Sequence, residues 1–518
     1  MKKIALVNLR FKVDIRFEIK ESLGIAYIAS MLISKGHQVK IIDAQFFDLG
    51  IDKVYETLMQ ENFDLIGFSL YEETAPFFEE LYRMIEGKVN SHICLGGHFA
   101  SFYAEKLLRK FPRVNCISIG EGETTIAELV ENLPNEEWKK TDGICYLEDD
   151  NIVYTEPREL IADLDSIPYP YRDPYFKSVD DPSGYSATIS ASRGCYANCS
   201  FCSIQSFYSF LKGKHIRIRK PEKVVDEIEY VNKTYGINKF FFSDDNFLAT
   251  NRVKPGWIDT FIDEIEKRNL KINFDIDCRV NDIEETLFIR LKKAGLNGVF
   301  LGIESFSQRA LDTLNKKVLV QDNINAINLL HKLRITVWMG FIMFDMFTTL
   351  DEIRDNLKAL EKINYFKYFN YDRPVSGDRL ASPLKLYNGT PILKKLLEES
   401  PEILIEIDYG YDYKFVDPKM NIFYKWLLEW KKISQEMIQL DTLWLVKLAN
   451  ERKIGDMASE LHSLSRKYMR VDLQAFESIL DAVDNCNENA IGDIIEQKKN
   501  EFYKIKQRVD ELRESLVS

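Results

Sequence analysis

Short apolar runs recur along most of the chain, each separated from the next by a stretch of helical periodicity. This alternation narrows the choice of fold more than any other feature. IALVNL at 4–9, VKIID at 39–43, DLIGFSL at 64–70 and HICLGG at 92–97 are strand-length and apolar on both faces. Strands of that kind belong in a parallel sheet covered by helices on both sides. Residues 1–140 therefore read as a doubly wound α/β domain. Such sheets take ligands beyond the carboxyl ends of their strands. Here those ends carry Ser69 and Leu70, then Gly96, Gly97 and His98, then Gly120, Glu121, Gly122, Glu123 and Thr124.

Residues 141–185 are dense in proline and aromatics, as in DSIPYPYRDPY at 165–175, and read as an extended linker. A second α/β series fills 186–393. Its strand candidates are 187–192, 239–245, 273–277, 298–305, 336–344 and 368–374, and six βα units at this spacing suit a partial (β/α)6 barrel of TIM type. Residues 394–518 read as a mostly helical C-terminal domain. Phe502, Ile505, Val509 and Leu512 form an apolar seam there, expected to pack on the rest of the protein rather than to bind a partner.

At 518 residues, 45% hydrophobic and 29% charged, the chain is too apolar for disorder and long enough for about three domains. Its 69 Lys+Arg against 81 Asp+Glu give a net charge of -12, which disfavours nucleic acid as a partner. No apolar run approaches the roughly 18 residues of a membrane span. The opening MKKIALVNLRFK lacks a signal-peptide core, so the expected compartment is the cytoplasm.

Eight cysteines are too few for a disulfide scaffold, yet Cys195, Cys199 and Cys202 crowd into ASRGCYANCSFCS with the spacing CxxxCxxC. Three thiolates on one tight loop can each hold one iron of a 4Fe-4S cluster and leave the fourth iron open. A structural zinc site would need a fourth ligand, and the nearest candidate, His215, lies 13 residues beyond Cys202. Zinc and unrelated buried thiols stay as the lesser alternatives.

At these residues the chain resembles the radical S-adenosylmethionine superfamily, whose hallmark is a CxxxCxxC loop after the first barrel strand with an aromatic, here Phe201, before the third cysteine. It further resembles the subgroup with a cobalamin-binding domain. That likeness rests on LGIAYIASMLISKGHQV at 23–39, IGFSL at 66–70, CLGGHFAS at 94–101, GEGETT at 120–125, LDSIPYP at 164–170, SRGCYANCSFC at 192–202, GIES at 302–305 and NGTPI at 388–392. The resemblance implies that the open iron chelates S-adenosylmethionine and cleaves it reductively to a 5′-deoxyadenosyl radical. It implies S-adenosylmethionine contacts from Phe201, from Ser243, Asp244, Asp245 and Asn246 for the methionyl amino group, and from Asp277 and Arg279, the latter for the carboxylate. Glu304 and Ser305 would serve ribose or methionyl groups. The segment GFIMFDMF at 340–347 departs from the family's usual GxIxGxP, which leaves Phe344 for adenine and Asp345 for ribose or substrate.

The same resemblance makes the first domain a Rossmann-like (flavodoxin-like) cobalamin module. None of the six histidines stands in the DxHxxG pattern that supplies a lower cobalt ligand, but members of the subgroup bind cobalamin without it. The glycines at 96–97 and 120–122 would let backbone approach the nucleotide tail, with Ser69 and Thr124 as hydrogen-bond partners. The implied activity is methylation of an unactivated carbon through methylcobalamin. Radical cyclisation or rearrangement without methyl transfer, and tRNA modification, are the alternatives. The implied partners are a small-molecule or peptide substrate and an electron donor such as flavodoxin or ferredoxin.

Overall fold

The computed structural model describes residues 1–10, 20–133, 135–363, 382–435, 445, 448–449 and 454–517. Five parallel strands open it: β1 (Lys3–Asn8), β2 (Gln38–Asp43), β3 (Leu65–Ser69), β4 (His92–Gly96) and β5 (Cys116–Ser118), in the order 2-1-3-4-5. Their residues face both ways into apolar cover. Helices Leu23–Ser34 and Gly122–Asn132 pack together on one face, while Val54, Phe78, Leu81 and Leu107 from three other helices cover the opposite face. The strand order reverses between β1 and β3, and ligands of such sheets lie at that end.

This sheet runs past the expected boundary at 140. β6 (Ile144–Glu148) pairs antiparallel with β5, and β7 (Asn151–Tyr154) with β6, so seven strands form one sheet. The stretch expected to run extended thus begins as a hairpin, and its apolar residues Ile144, Cys145 and Tyr146 are buried. Past the hairpin it is held by charge. Arg172 bonds Glu21 at 3.0 Å and Glu227 at 2.8 Å, all three side chains fully buried, and Arg219 bonds Glu227 at 2.5 Å. Buried ions survive only when paired in this way, so the network fixes the approach to the next sheet.

β8 (Ser186–Ile189) starts the second sheet. A two-residue ribbon, β9 (Ser192–Arg193) with β10 (Arg217–Ile218), brackets the cysteine loop. β11 (Lys239–Phe242), β12 (Asn273–Arg279), β13 (Leu296–Glu304) and β14 (Thr336–Phe341) then complete five parallel strands in the order 8-11-12-13-14. The sixth strand expected at 368–374 lies outside the described residues.

The final segment is mostly helical, as expected, apart from a hairpin of β15 (Leu404–Ile407) and β16 (Gly410–Tyr413). Helices Pro418–Gln435, Gly455–Asp484 and Ile491–Val517 pack together, and Phe502, Ile505, Val509 and Leu512 are all buried. The seam is therefore a core stripe. One contiguous apolar core joins the first domain, the barrel and these helices.

Phe502 meets Trp430 edge to face at 6.2 Å and Tyr468 at 5.3 Å, with no exposure of its own. Phe502→Ala is expected to destabilise the helical segment by about 3–5 kcal/mol, read as a lower denaturation midpoint by tryptophan fluorescence.

Candidate functional site

The cysteine loop is shaped by its backbone first. Gly194 sits at φ 87, and a Cβ there would lie 2.3 Å from the carbonyl oxygen of His215 on the facing ribbon strand, so only glycine fits. Its N–H donates to Asp245 at 2.9 Å. Gln205 donates to the carbonyls of Cys195 and Ala197, and Ser200 Oγ donates to the carbonyl of Thr313 at 2.7 Å. Cys199 is buried, while Cys195 and Cys202 are partly exposed. Arg279 donates to the Cys199 sulfur at 2.8 Å.

Among the described residues no three His, Cys, Asp or Glu side chains converge on a single metal position. His215 bonds Gln205 rather than a cysteine. The three thiols suit a cluster instead, whose irons occupy separate corners and do not require the sulfurs to meet at one point.

The ends of β11 and β12 form the floor beside this loop. Asp244 accepts from Ser192 Oγ and from the Ala191 N–H at 3.1 Å, and burial pushes its carboxyl up to about 7. Asp245 is exposed, but the surrounding protein raises its carboxyl to about 6, against the pull of the Gly194 N–H. Ser243 is exposed as well. Asn246 is fully buried and donates to Asp282, which also accepts from Tyr196 and Arg252. That side chain thus braces the loop's tyrosine.

Register places the inward residues in layers. Asp277 stands beside Phe300, and Phe300 beside Trp338; one layer higher Arg279, Gly302 and Gly340 stand side by side. The upper layer offers glycine backbone on two strands next to a guanidinium, with the Glu304 carboxylate close to both glycines. Asp277 Oδ1, Arg279 Nε and Asn246 Oδ1 are buried without hydrogen-bond partners. Two unmet acceptors and one unmet donor match the ammonium and carboxylate of a methionyl group, so the rim fits S-adenosylmethionine. Phe201 packs partly buried against the core.

Several expected contacts are engaged within the protein. Glu304, at φ 63, bonds the buried Lys316 at 2.9 Å and borders the Gly302 gap. Ser305 is buried and donates to Asn356. Phe344 is fully buried among Phe415, Phe423, Tyr424 and Phe476, where it docks the C-terminal helices instead of lining the bore. Asp345 is ion-paired to Arg309 at 2.8 Å and accepts the Phe347 N–H, which leaves it no open face for ribose. The missing glycine and proline of 340–347 are thus linked to packing of the helical segment.

The strand ends of the first domain meet the segment that follows this loop. Ser69, Gly96 and Gly97 are partly exposed over the buried Leu70, and a Cβ on Gly97 would crowd the Leu70 carbonyl at 3.1 Å. His98 stacks on Phe207 at 3.7 Å and 10°, and burial lowers its pKa to about 4, so it is neutral. Gly120, at φ 78, lies so close to Leu211 that a Cβ would meet it at 2.2 Å. Glu121 and Glu123 do not turn their carboxylates to a ligand crevice: Glu121 bonds Arg193 at 2.9 Å and Arg217 at 2.8 Å, and Glu123 bonds Arg193 at 2.5 Å. Thr124 is partly exposed on the following helix. A cavity of about 540 Å³ opens at this junction, between Ser101, Phe102 and Ile119 on one side and Ser209, Phe210 and Asn388 on the other.

Four features escaped the sequence reading. Arg193 and Arg217 show only as ordinary basic residues, although Arg193 immediately precedes the loop's glycine. Phe300 and Trp338 look like core residues of a strand, yet Phe300 is 42% exposed inside the bore. Lys20 reaches the Phe241 ring at 3.3 Å across 221 positions of sequence. Cys94 and Cys116 lie side by side on β4 and β5 with His92 at 3.3 Å from Cys116, a buried group apart from the loop.

A B12 binding domain model matches residues 18–130, and a Radical SAM superfamily model matches residues 189–360. An uncharacterized methyltransferase of Pyrococcus horikoshii is 30% identical over 366 residues, covering 69% of this chain and 77% of that one. An anaerobic magnesium-protoporphyrin IX monomethyl ester cyclase of Rubrivivax gelatinosus is 33% identical over 418 residues, covering 76% and 73%. In fold, the chain is similar over its whole length to the cobalamin-dependent S-adenosylmethionine radical enzyme OxsB with aqua-cobalamin and S-adenosylmethionine bound, at TM-score 0.75 and 22% identity, covering 80% of that structure.

Asp277 supplies a pH test of this geometry. Burial raises its carboxyl to about 7, with Asp244, Asp245 and Asp275 adding to the rise and Lys20 opposing it. A folded-state value above the unfolded one of about 3.9 means that the folded chain binds the proton more tightly, so stability falls as pH rises from about 4 to about 7. Asp277→Asn is expected to stabilise the ligand-free chain at pH 8 by roughly 1–3 kcal/mol and to change little at pH 4. Thermal melts at the two pH values check this.

Proposed function

From the premise that the chain belongs to the radical S-adenosylmethionine superfamily, in the group with a B12-binding domain, we propose that it methylates an unactivated carbon of a biosynthetic substrate. Its cofactors are a 4Fe-4S cluster, S-adenosylmethionine and cobalamin. When bound, they supply one-electron cleavage of S-adenosylmethionine and a transferable methyl group. The observation that carries the reading is where the two domains meet. The segment that follows the cysteine loop meets the first domain's strand ends, with Phe207 on His98 and Leu211 against Gly120, so a methyl carrier and a radical source would share one junction.

The residues of this chain divide the work. Cys195, Cys199 and Cys202 hold three irons and leave the fourth open. Asp244, Asp245 and Ser192 fix the loop's entry, and Tyr196, Asp282 and Asn246 fix its far side. Arg279 and the backbone at Gly302 and Gly340 receive the polar ends of S-adenosylmethionine, with Asp277 below them. Ser69, Leu70, Gly96 and Gly97 form the crevice for the cobalamin tail. Phe300 and Trp338 line the bore in which an organic substrate is shielded from water. Electrons come from a small redox protein such as flavodoxin or ferredoxin.

A second reading, radical cyclisation without methyl transfer, is favoured by the Rubrivivax relative's name. Two products separate them. In the reductively started reaction with trideuteriomethyl-labelled S-adenosylmethionine, the proposal expects 5′-deoxyadenosine and S-adenosylhomocysteine in about equal amounts, with label in the product. Cyclisation expects 5′-deoxyadenosine without S-adenosylhomocysteine or label. Cys199→Ala is expected to lower 5′-deoxyadenosine formation by at least about a hundredfold.

A further inference from the structure

The ribbon that carries the cysteine loop is gripped by the other domain. Arg193 and Arg217 pair across β9 and β10 at the two mouths of the loop. Both guanidiniums reach the turn after β5, where Glu121 takes one arginine on each carboxylate oxygen and Glu123 takes a second nitrogen of Arg193. The four side chains are at most 16% exposed. Arg217 also donates to the Ile161 carbonyl, and the Ile161 N–H donates to Glu121, so the connector is tied in. Between the third cysteine and β10 the chain stays in contact with the same domain: Phe207 on His98, Phe210 on Phe102 and Leu211 against Gly120. The backbone of Gly120 and Gly122 forms the turn at which the first sheet would meet its ligand, while the carboxylates between and beside them reach the cluster loop.

We propose that the Glu121–Gly122–Glu123 turn positions the iron–sulfur loop and couples it to occupancy of the cobalamin crevice, with Glu121 as the positioning residue. Desolvated and doubly paired, this carboxylate holds both ends of the loop in register with the first domain. A ligand that orders the turn then orders the loop, and the effect is reciprocal. The coupling rests on the cobalamin reading above; the positioning does not.

Amide hydrogen exchange tests the two separately. In the ligand-free full chain, Glu121→Gln is expected to speed exchange across residues 193–218 by about tenfold while leaving helix Pro221–Tyr235 unchanged. Glu123→Gln, which leaves Arg193 its Glu121 contact, is expected to give a smaller increase and serves where the first variant fails to fold. Equal protection of 193–218 in a folded Glu121→Gln chain, or in Glu123→Gln if only that one folds, overturns the positioning role. Hydroxocobalamin added to the wild-type chain is expected to slow exchange at 193–218, and the slowing is expected to vanish in Glu121→Gln. Slowing that persists in the variant overturns the coupling, whereas hydroxocobalamin that fails to bind the wild-type chain overturns the cobalamin reading and leaves the first comparison standing. In the reconstituted protein at matched iron content, Glu121→Gln is expected to alter the electron paramagnetic resonance spectrum of the reduced cluster, which a remote stability defect would not do; an unchanged spectrum counts against positioning.

Discussion

A loop that offers three thiolates to a cluster has to be shaped before iron arrives, because three cysteines within eight residues cannot by themselves impose the spacing of cube corners on a free chain. Much of this structure serves that requirement. Gly194 lets the loop turn against the His215 carbonyl. Two aspartates at the end of β11 receive the N–H groups at its entry, Tyr196 is braced by Asp282, and Arg193 and Arg217 are locked to carboxylates of another domain. Buried pairs of this kind add little net stability, since desolvation offsets most of the attraction, but breaking one strands a charge. Their value here is geometric.

The same constraint explains how three segments make one core. Arg172 ties Glu21 of the first domain to Glu227 of the barrel. Phe344, at the end of the barrel sheet, seats the C-terminal helices. With the apolar cluster continuous through all three, the first domain's strand ends are held against the segment that follows the cysteine loop, where an enclosed site would keep water out. Radical chemistry gains from that exclusion of water.

Sequence pattern made the sheets legible because both-face burial leaves a local trace: runs such as IALVNL admit few other readings. The cysteine loop was legible for the same reason, being contiguous. What could not be read were contacts that depend on register and domain placement. Glu121 and Glu123 looked like ligand contacts because their turn lies at a strand end, yet the turn's carboxylates and its backbone point to different neighbours. Phe344 and Asp345 looked like rim residues, but Phe344 is covered by helices far along the chain and Asp345 is taken by Arg309. The β6–β7 hairpin was hidden under its proline-rich surroundings. Asp277 and Arg279 alternate on β12 as period-two patterning implies, and the orphaned polar atoms they carry are visible only in three dimensions.

The most direct measurement is the visible and electron paramagnetic resonance spectrum of the anaerobically reconstituted chain, before and after S-adenosylmethionine is added. A 4Fe-4S signal together with corrinoid bands is expected, with the reduced-cluster signal shifting when S-adenosylmethionine occupies the open iron. Corrinoid bands absent at full cluster loading would contradict the shared space between the two domains, and a cluster signal indifferent to S-adenosylmethionine would contradict the open iron.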